Sequence, residues 1–344
     1  MYRNDKELSN CTFVKAVLML FVVFYHCCIW WCDSSWFVRE PTYRADYTES
    51  LCSWMNSFHI YAFVLTSGYI YYYLRNELHK YEGFLGFLNN KLKRLVVPYI
   101  FASIAWVIPT SIFLFKYNTK DILLKFALGT APSQLWFLLM LFVVFVCVWP
   151  LNRIINEHIA IGIAFSVCTY FCGVLAGANA LNIFQIWTGL KYISFFILGF
   201  YLRKFYLSIP KKTVAIFSVV LHLSLLYIET KISASASLYL HIAKVLVYYL
   251  SHISGAVAAF YVLQSIACSV SGTFRELINR LGRKSMTIYL VHQQIIYVFL
   301  LLLDGKVNAI QHITICYIGT MIISLLIASV LSHFSITRKL VGSK

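Results

Sequence analysis

Charge is scarce in this 344-residue chain. Asp, Glu, Lys and Arg together make up 12% of it, and only 13 residues are acidic. A soluble domain carries roughly a quarter of its residues as charges, so the shortage excludes an ordinary water-soluble fold. No apolar run alternates with polar residues at a period of two, which excludes a closed β-barrel. No Cys-x-x-Cys pair occurs among the 10 cysteines, so nothing supports a zinc site and no metal is expected. No basic run is interleaved with aromatics outside the apolar segments, and the formal charge of +16 therefore does not read as a nucleic-acid surface. Repeats, low-complexity tracts and long linkers are also missing, which leaves one integral-membrane domain over residues 1–344.

What is present is apolar surface. Hydrophobic residues supply 60% of the chain, enough for about ten helical spans at ~20 apolar residues each. Hydropathy places them near 12–32, 52–74, 95–115, 135–149, 159–177, 185–202, 213–228, 240–264, 286–303 and 308–332, the fourth, sixth and seventh short for a full crossing. The fold expected is an all-α bundle of about ten transmembrane helices. With the N-terminus inside, twenty of the 29 basic residues fall in inward segments, so the positive-inside rule predicts cytoplasmic N- and C-termini. The opening MYRNDKELSNCTF runs into the first span without a small-residue cleavage pattern and reads as a signal anchor.

Most cysteines, among them Cys27, Cys28, Cys147, Cys168, Cys172 and Cys316, lie inside apolar runs and read as buried thiols. Cys32 and Cys52 bracket the first outward loop and are positioned for a bridge if that face is oxidising. Trp30, Trp31, Trp36 and Trp54 gather around the same loop, as an interfacial aromatic belt or an aromatic platform for sugars would.

Polar side chains inside spans are costly and mark function by default. His26 lies in FVVFYHCCIWW and His59 in WMNSFHIYAFVLTSGY. Counted from the outer ends of their spans at 1.5 Å per residue, both imidazoles sit about 10 Å below the outer boundary and can share one pocket. Neutral imidazole can take a proton from a hydroxyl nucleophile; the alternative for each is a hydrogen bond to a neighbouring helix. Lys91, Lys93 and Arg94 crowd the cytoplasmic end of the third span, where basic side chains bind phosphate or satisfy the positive-inside rule. Lys15, eleven residues before His26, lies on much the same side of span one. A cation towards one face and a base towards the other suit a ligand that threads the membrane. Lys191, His222, His241, Lys244 and His252 are left without a role.

These residues resemble the acyltransferase-3 family of integral-membrane acyltransferases, which includes O-acetyltransferases of bacterial surface polysaccharides. Lys15 through VVFYHC with His26 is similar to the family's first span, which places a basic residue eleven positions before its catalytic histidine. FHIYAFVLTSGYI, with His59, Ser67 and Gly68, resembles its second span. KLKRLVVPY resembles its basic motif, Lys91 and Arg94 standing where many members have two arginines. QLWFLLML, with Trp136 and Phe137, and LGRKSMTIYLVHQ, with His292, complete five elements in the family's order across the chain. Cys11 and Lys15 occupy a region where arginines are common, and Tyr61 replaces the family's proline. Lys91 keeps an arginine's charge without its bidentate geometry.

The resemblance implies a membrane O-acyltransferase of the bacterial inner membrane. Acetyl would pass from acetyl-CoA to a hydroxyl of a surface polysaccharide or its lipid-linked precursor. His26 would be the general base, His59 would orient His26 or the acceptor, and Lys15, Lys91, Lys93 and Arg94 would contact the coenzyme phosphates. His292, about six residues inside the inner end of its span, falls at a different depth and is expected to be structural or to face the acyl donor. The chain ends at Lys344, twelve residues after the last span, so transfer is expected to be completed by this chain alone or with a separate partner. The rival reading is a transporter or flippase for a glycan or lipid-linked sugar, in which buried His and Lys line a conduit. A purely structural membrane scaffold is a third.

Overall fold

A computed structural model describes residues 2–33, 36–37, 39–130, 133–232 and 238–342; Lys344 lies outside them. Fifteen α-helices follow one another among these residues: α1 (Tyr2–Ile29), α2 (Tyr47–Asn56), α3 (His59–Tyr72), α4 (Phe84–Lys91), α5 (Val97–Ala102), α6 (Ile108–Phe115), α7 (Thr119–Leu128), α8 (Trp136–Glu157), α9 (Ile159–Asn179), α10 (Ile186–Lys204), α11 (Lys211–Lys231), α12 (Leu238–Ser269), α13 (Gly272–Leu303), α14 (Ala309–His333) and α15 (Ser335–Leu340). The described residues contain no strand. In hydrocarbon every backbone N–H and C=O must be paired within the segment, and helices do this locally.

Nine helical stretches among the described residues are long and apolar enough to cross a membrane, against about ten expected. The stretch that drops out is 52–74. It is helical, but it breaks after α2 at Ser57 and Phe58, the latter's φ of −135° leaving the helical region; α2 has only 10 residues, and the second piece, which continues through a π-helical turn to Glu77, is rich in tyrosine and ends on Arg75, Asn76 and Glu77, which lowers its apolarity. His59 is the first residue of the second piece. The segments that looked short are carried by full-length helices: α8 has 22 residues, α10 has 19 and α11 has 21. Polar residues at their ends remain helical because helix geometry extends past the hydrocarbon boundary.

The helices α3 and α10 approach each other closely, and glycine makes it possible. A Cβ on Gly68 would stand 1.9 Å from the Phe196 carbonyl oxygen, and one on Gly199 would stand 1.9 Å from that of Leu65. Without a hydrophobic driving force between helices in lipid, such small-residue contacts supply the dispersion that holds them together.

Polar clamps define two opposite faces. On one, Arg203 of α10 pairs with Glu7 of α1 at 3.3 Å and with Glu77 at 2.6 Å, while Arg275 of α13 bonds Asn10 at 2.6 Å. On the other, Asp304 accepts from the Thr42 backbone N–H and hydroxyl at 3.0 and 2.8 Å and pairs with Arg39. The loop that follows α1 is thereby tied to the connection between α13 and α14.

The tryptophan expectation needs correction. Trp30 and Trp31 are fully buried and pack against His312 at ring distances of 5.6 and 5.2 Å. They belong to the core beneath the loop and not to an interfacial belt; Trp54 is exposed as a belt residue would be. The cysteines divide likewise: Cys27, Cys28 and Cys316 are buried, Cys147 is partly buried, and Cys168 and Cys172 lie exposed on α9.

Candidate active site

Two helices meet at His26. It stands in the last turn of α1, half-buried, and its Nδ1 lies 2.9 Å from Nε2 of His292 on α13. The two rings are stacked at 5.0 Å between centroids. His292 is fully buried, and its Nδ1 faces the carbonyl oxygens of Tyr289 at 2.8 Å and Ile288 at 3.2 Å.

This arrangement sets the tautomers. Carbonyl oxygens only accept, so the proton of neutral His292 sits on Nδ1 and its Nε2 is an acceptor. His26 Nδ1–H then donates to that nitrogen, and the lone pair of His26 is left on Nε2. The half-buried ring of the pair is thus the one with a free basic nitrogen. Trp36 stacks on His26 at 5.6 Å and itself rests on Tyr297 at 5.3 Å.

His292 is therefore placed differently from the expectation, which set it at another depth. That expectation counted from the inner end of a hydropathy window, but α13 is a 32-residue helix whose apolar window covers only part of it. The α13 helix also runs eleven residues beyond His292 to Leu303, whereas α1 ends three residues after His26. Helices that end at different heights bring residues of unequal offset to one level.

The segment of α13 that carries His292 is held on its far side. Trp106 Nε1 donates to the Leu290 carbonyl at 2.8 Å. Gln134 donates to Leu290 at 3.3 Å and to Gln294 Oε1 at 2.7 Å, and the Tyr289 hydroxyl donates to the Gln134 carbonyl. Gln134, immediately before the LWFL stretch, and Trp106 were missed in the sequence. The signal for Gln134 was an amide beside an apolar run; Trp106 had none, because its partner is a backbone oxygen.

His59 is buried at the start of α3. Its Nδ1 donates to the Met55 carbonyl at 2.5 Å, which bridges the break between α2 and α3. Its ring lies 5.3 Å from that of Tyr25, the neighbour of His26, and no hydrogen bond joins the two histidines among the described residues.

The four cations do not form one patch. Lys91 is buried, with Nζ 3.5 Å from the Phe145 ring centre, 5.2 Å from Phe87 and 5.4 Å from Tyr81. Lys93 and Arg94 are exposed. A wider π-helical turn over Leu92–Val96 changes the angular step, so Lys91 points into the bundle while the next basic residues point out. Lys15 is half-buried, 5.3 Å from the Phe63 ring centre. Lys15 and Arg94 both lie within electrostatic range of Lys91, and none of the four makes a salt bridge among the described residues. Lys15 and Arg94 thus add positive charge around Lys91 from different directions, and no carboxylate pairs with any of the three among the described residues, a setting that favours an anion.

Lys191, His222 and His252 fall into a separate cluster. His252 lies 4.3 Å from the Tyr61 ring, Lys191 lies 5.5 Å from Tyr248, and His222 Nε2 lies 3.2 Å from Ser57 Oγ. The Ser57 hydroxyl has a closer acceptor in the Trp54 carbonyl at 2.6 Å, which occupies its single proton at the helix break.

A family model described as an acyltransferase domain matches residues 10–329 of the chain. No curated protein and no solved structure matches it.

Proposed function

Because the chain belongs to the acyltransferase-3 family, a group of membrane acyltransferases, we propose that it is an O-acetyltransferase that moves acetyl from acetyl-CoA to a hydroxyl of a surface polysaccharide or its lipid-linked precursor, with His26 as general base. The membrane is the inner membrane of a bacterium, and coenzyme A approaches from the cytoplasmic side. The observation that carries the reading is the His26–His292 pair at 2.9 Å, whose hydrogen-bond order leaves Nε2 of His26 unprotonated.

The acceptor hydroxyl gives its proton to His26 Nε2 as its oxygen attacks the thioester carbonyl. The carbon–sulfur bond breaks, the proton passes to the departing thiolate, and the products are an acetyl ester and coenzyme A. His292 holds the ring of His26 through Nδ1, as a base in a nucleophile–base–orienter arrangement is held by its third member. Lys15, Lys91 and Arg94 attract the coenzyme phosphates, with exposed Lys93 at the entrance. Burial of Lys91 among three rings leaves its charge poorly hydrated, so an incoming phosphate gains more there than at a solvated lysine. His59 positions the wall next to Tyr25.

The test is the O-acetyl content of surface glycans, by NMR before and after mild alkali, in a deletion strain complemented with wild type or His26→Ala. With equal membrane levels, alkali-labile acetyl signals return with wild type and not with the variant. Return with both removes His26 as the base. No acetyl change with either replaces the acetyl assignment with another acyl group or with transport.

A further inference from the structure

Just beyond the basic motif the bundle surface carries an apolar groove of about 320 Å³, lined by Val97, Ile100, Phe101, Ile104, Ala105 and Leu340. One wall is α5 and the π-helical turn that follows it, Ser103–Val107. The other is Leu340 of α15. Ile100 and Ile104 are 50% and 68% exposed, and residues four apart on a helix share a face, so the groove is an open apolar stripe. Every residue that lines it is apolar.

The α15 wall is held against the start of α5. At Gly342 the chain lies so close that a Cβ there would stand 3.0 Å from the Arg94 carbonyl oxygen and 2.9 Å from Cγ of Pro98. This approach brings two basic pairs to one end of the groove. Arg338 and Lys339 immediately precede Leu340, and Lys93 and Arg94 shortly precede Val97. All four are exposed, and none pairs with a carboxylate among the described residues.

Size and charge together select the occupant. From Val97 to Ala105 the wall rises about 12 Å at 1.5 Å per residue, most of the ~15 Å that one leaflet contributes to a hydrocarbon core ~30 Å thick. The groove by itself accepts any acyl chain, but unpaired cations at the cytoplasmic boundary select a negative head group. We propose that this groove binds one anionic phospholipid of the cytoplasmic leaflet, its phosphate on Arg338 and Lys339 and one acyl chain along Val97 to Ala105. Arg338 and Lys339 have no part in the coenzyme reading, so the two readings fail separately. The groove also reaches the brace behind His292, because Phe101 packs edge to face on Trp106 at 5.3 Å and the Trp106 indole donates to the Leu290 carbonyl.

The experiment is native mass spectrometry of the purified full chain in detergent, with equal amounts of phosphatidylglycerol and phosphatidylethanolamine that carry the same acyl chains. The expected result is one phosphatidylglycerol retained under activation that strips phosphatidylethanolamine. In Arg338→Gln/Lys339→Gln its apparent affinity falls about 30-fold, the effect of two basic side chains at an anionic head group. Ala105→Trp fills the groove with the charges intact and also lowers retention. Lys211→Gln/Lys212→Gln removes the same charge elsewhere on the cytoplasmic face and changes nothing. Thermal unfolding of each variant confirms that it is folded. Equal retention of the two phospholipids by wild type overturns the proposal, as does unchanged retention in either groove variant or an equal loss in the Lys211/Lys212 variant. Two other occupants would also replace it. A dimer that Ala105→Trp dissociates without loss of lipid assigns the groove to a second copy of the chain. Displacement of the lipid by coenzyme A, with weaker coenzyme binding in Arg338→Gln/Lys339→Gln, assigns it to the acyl donor.

Discussion

Replacing His292 by alanine separates a base that is merely present from one that is held in the correct tautomer. The substitution removes the acceptor 2.9 Å from His26 Nδ1, strands that N–H, and frees the imidazole to place its proton on either nitrogen. A buried donor without a partner costs about 1–3 kcal/mol. If that energy is lost from the transition state, at 1.36 kcal/mol per decade the rate falls roughly 5- to 150-fold. His26→Ala removes the base itself and should cost ~10²–10⁴, so His292→Ala must be the milder of the two. His292→Gln offers an amide oxygen to Nδ1–H and should retain more activity than alanine. The assay is the initial rate of coenzyme A thiol release by membranes from the complemented deletion strain, with acetyl-CoA and the strain's own glycan. Thermal unfolding of each purified variant shows whether it is folded. Wild-type turnover in a normally inserted His292→Ala protein would refute the tautomer argument, as would a glutamine variant no better than alanine when both are folded.

Two further outcomes follow from geometry already described. Coenzyme A at 100 times its dissociation constant should stabilise the wild type by about 2.7 kcal/mol against unfolding. Arg94→Ala and Lys15→Ala should shrink that increment, and Lys91→Met, which keeps apolar volume among Tyr81, Phe87 and Phe145, should do the same without unfolding the protein; an unchanged coenzyme shift in all three would dismiss the phosphate assignment. Gly68→Ala and Gly199→Ala each force a Cβ to within 1.9 Å of a backbone oxygen, so α3 and α10 must separate at a cost of at least 1–3 kcal/mol. Membrane yield and unfolding temperature should fall for either variant, and wild-type values for both would show that the close approach is unimportant.

Composition and hydropathy determined the class of the molecule. Apolar runs long enough to span hydrocarbon must pair their backbone groups internally, so an all-α membrane bundle followed from the chain alone, and the order of five short motifs pointed to the acyltransferase-3 family. The candidate base His26 and the basic residues Lys15, Lys91, Lys93 and Arg94 were also visible, because charged and titratable groups stand out against an apolar background. Tertiary structure alone decided how they are grouped. The break at Ser57–Phe58 does not register in a hydropathy average, and a π-helical turn that sends Lys91 inward and Arg94 outward leaves no mark on residue spacing. The partnership of His26 with His292 spans 266 positions and depends on where two helices of unequal length end relative to each other. Hydropathy measures the cost of leaving water residue by residue and contains no term for the rotation or offset of one helix against another. Those two quantities placed the free nitrogen of His26 and moved Trp30 and Trp31 from the expected interface into the core.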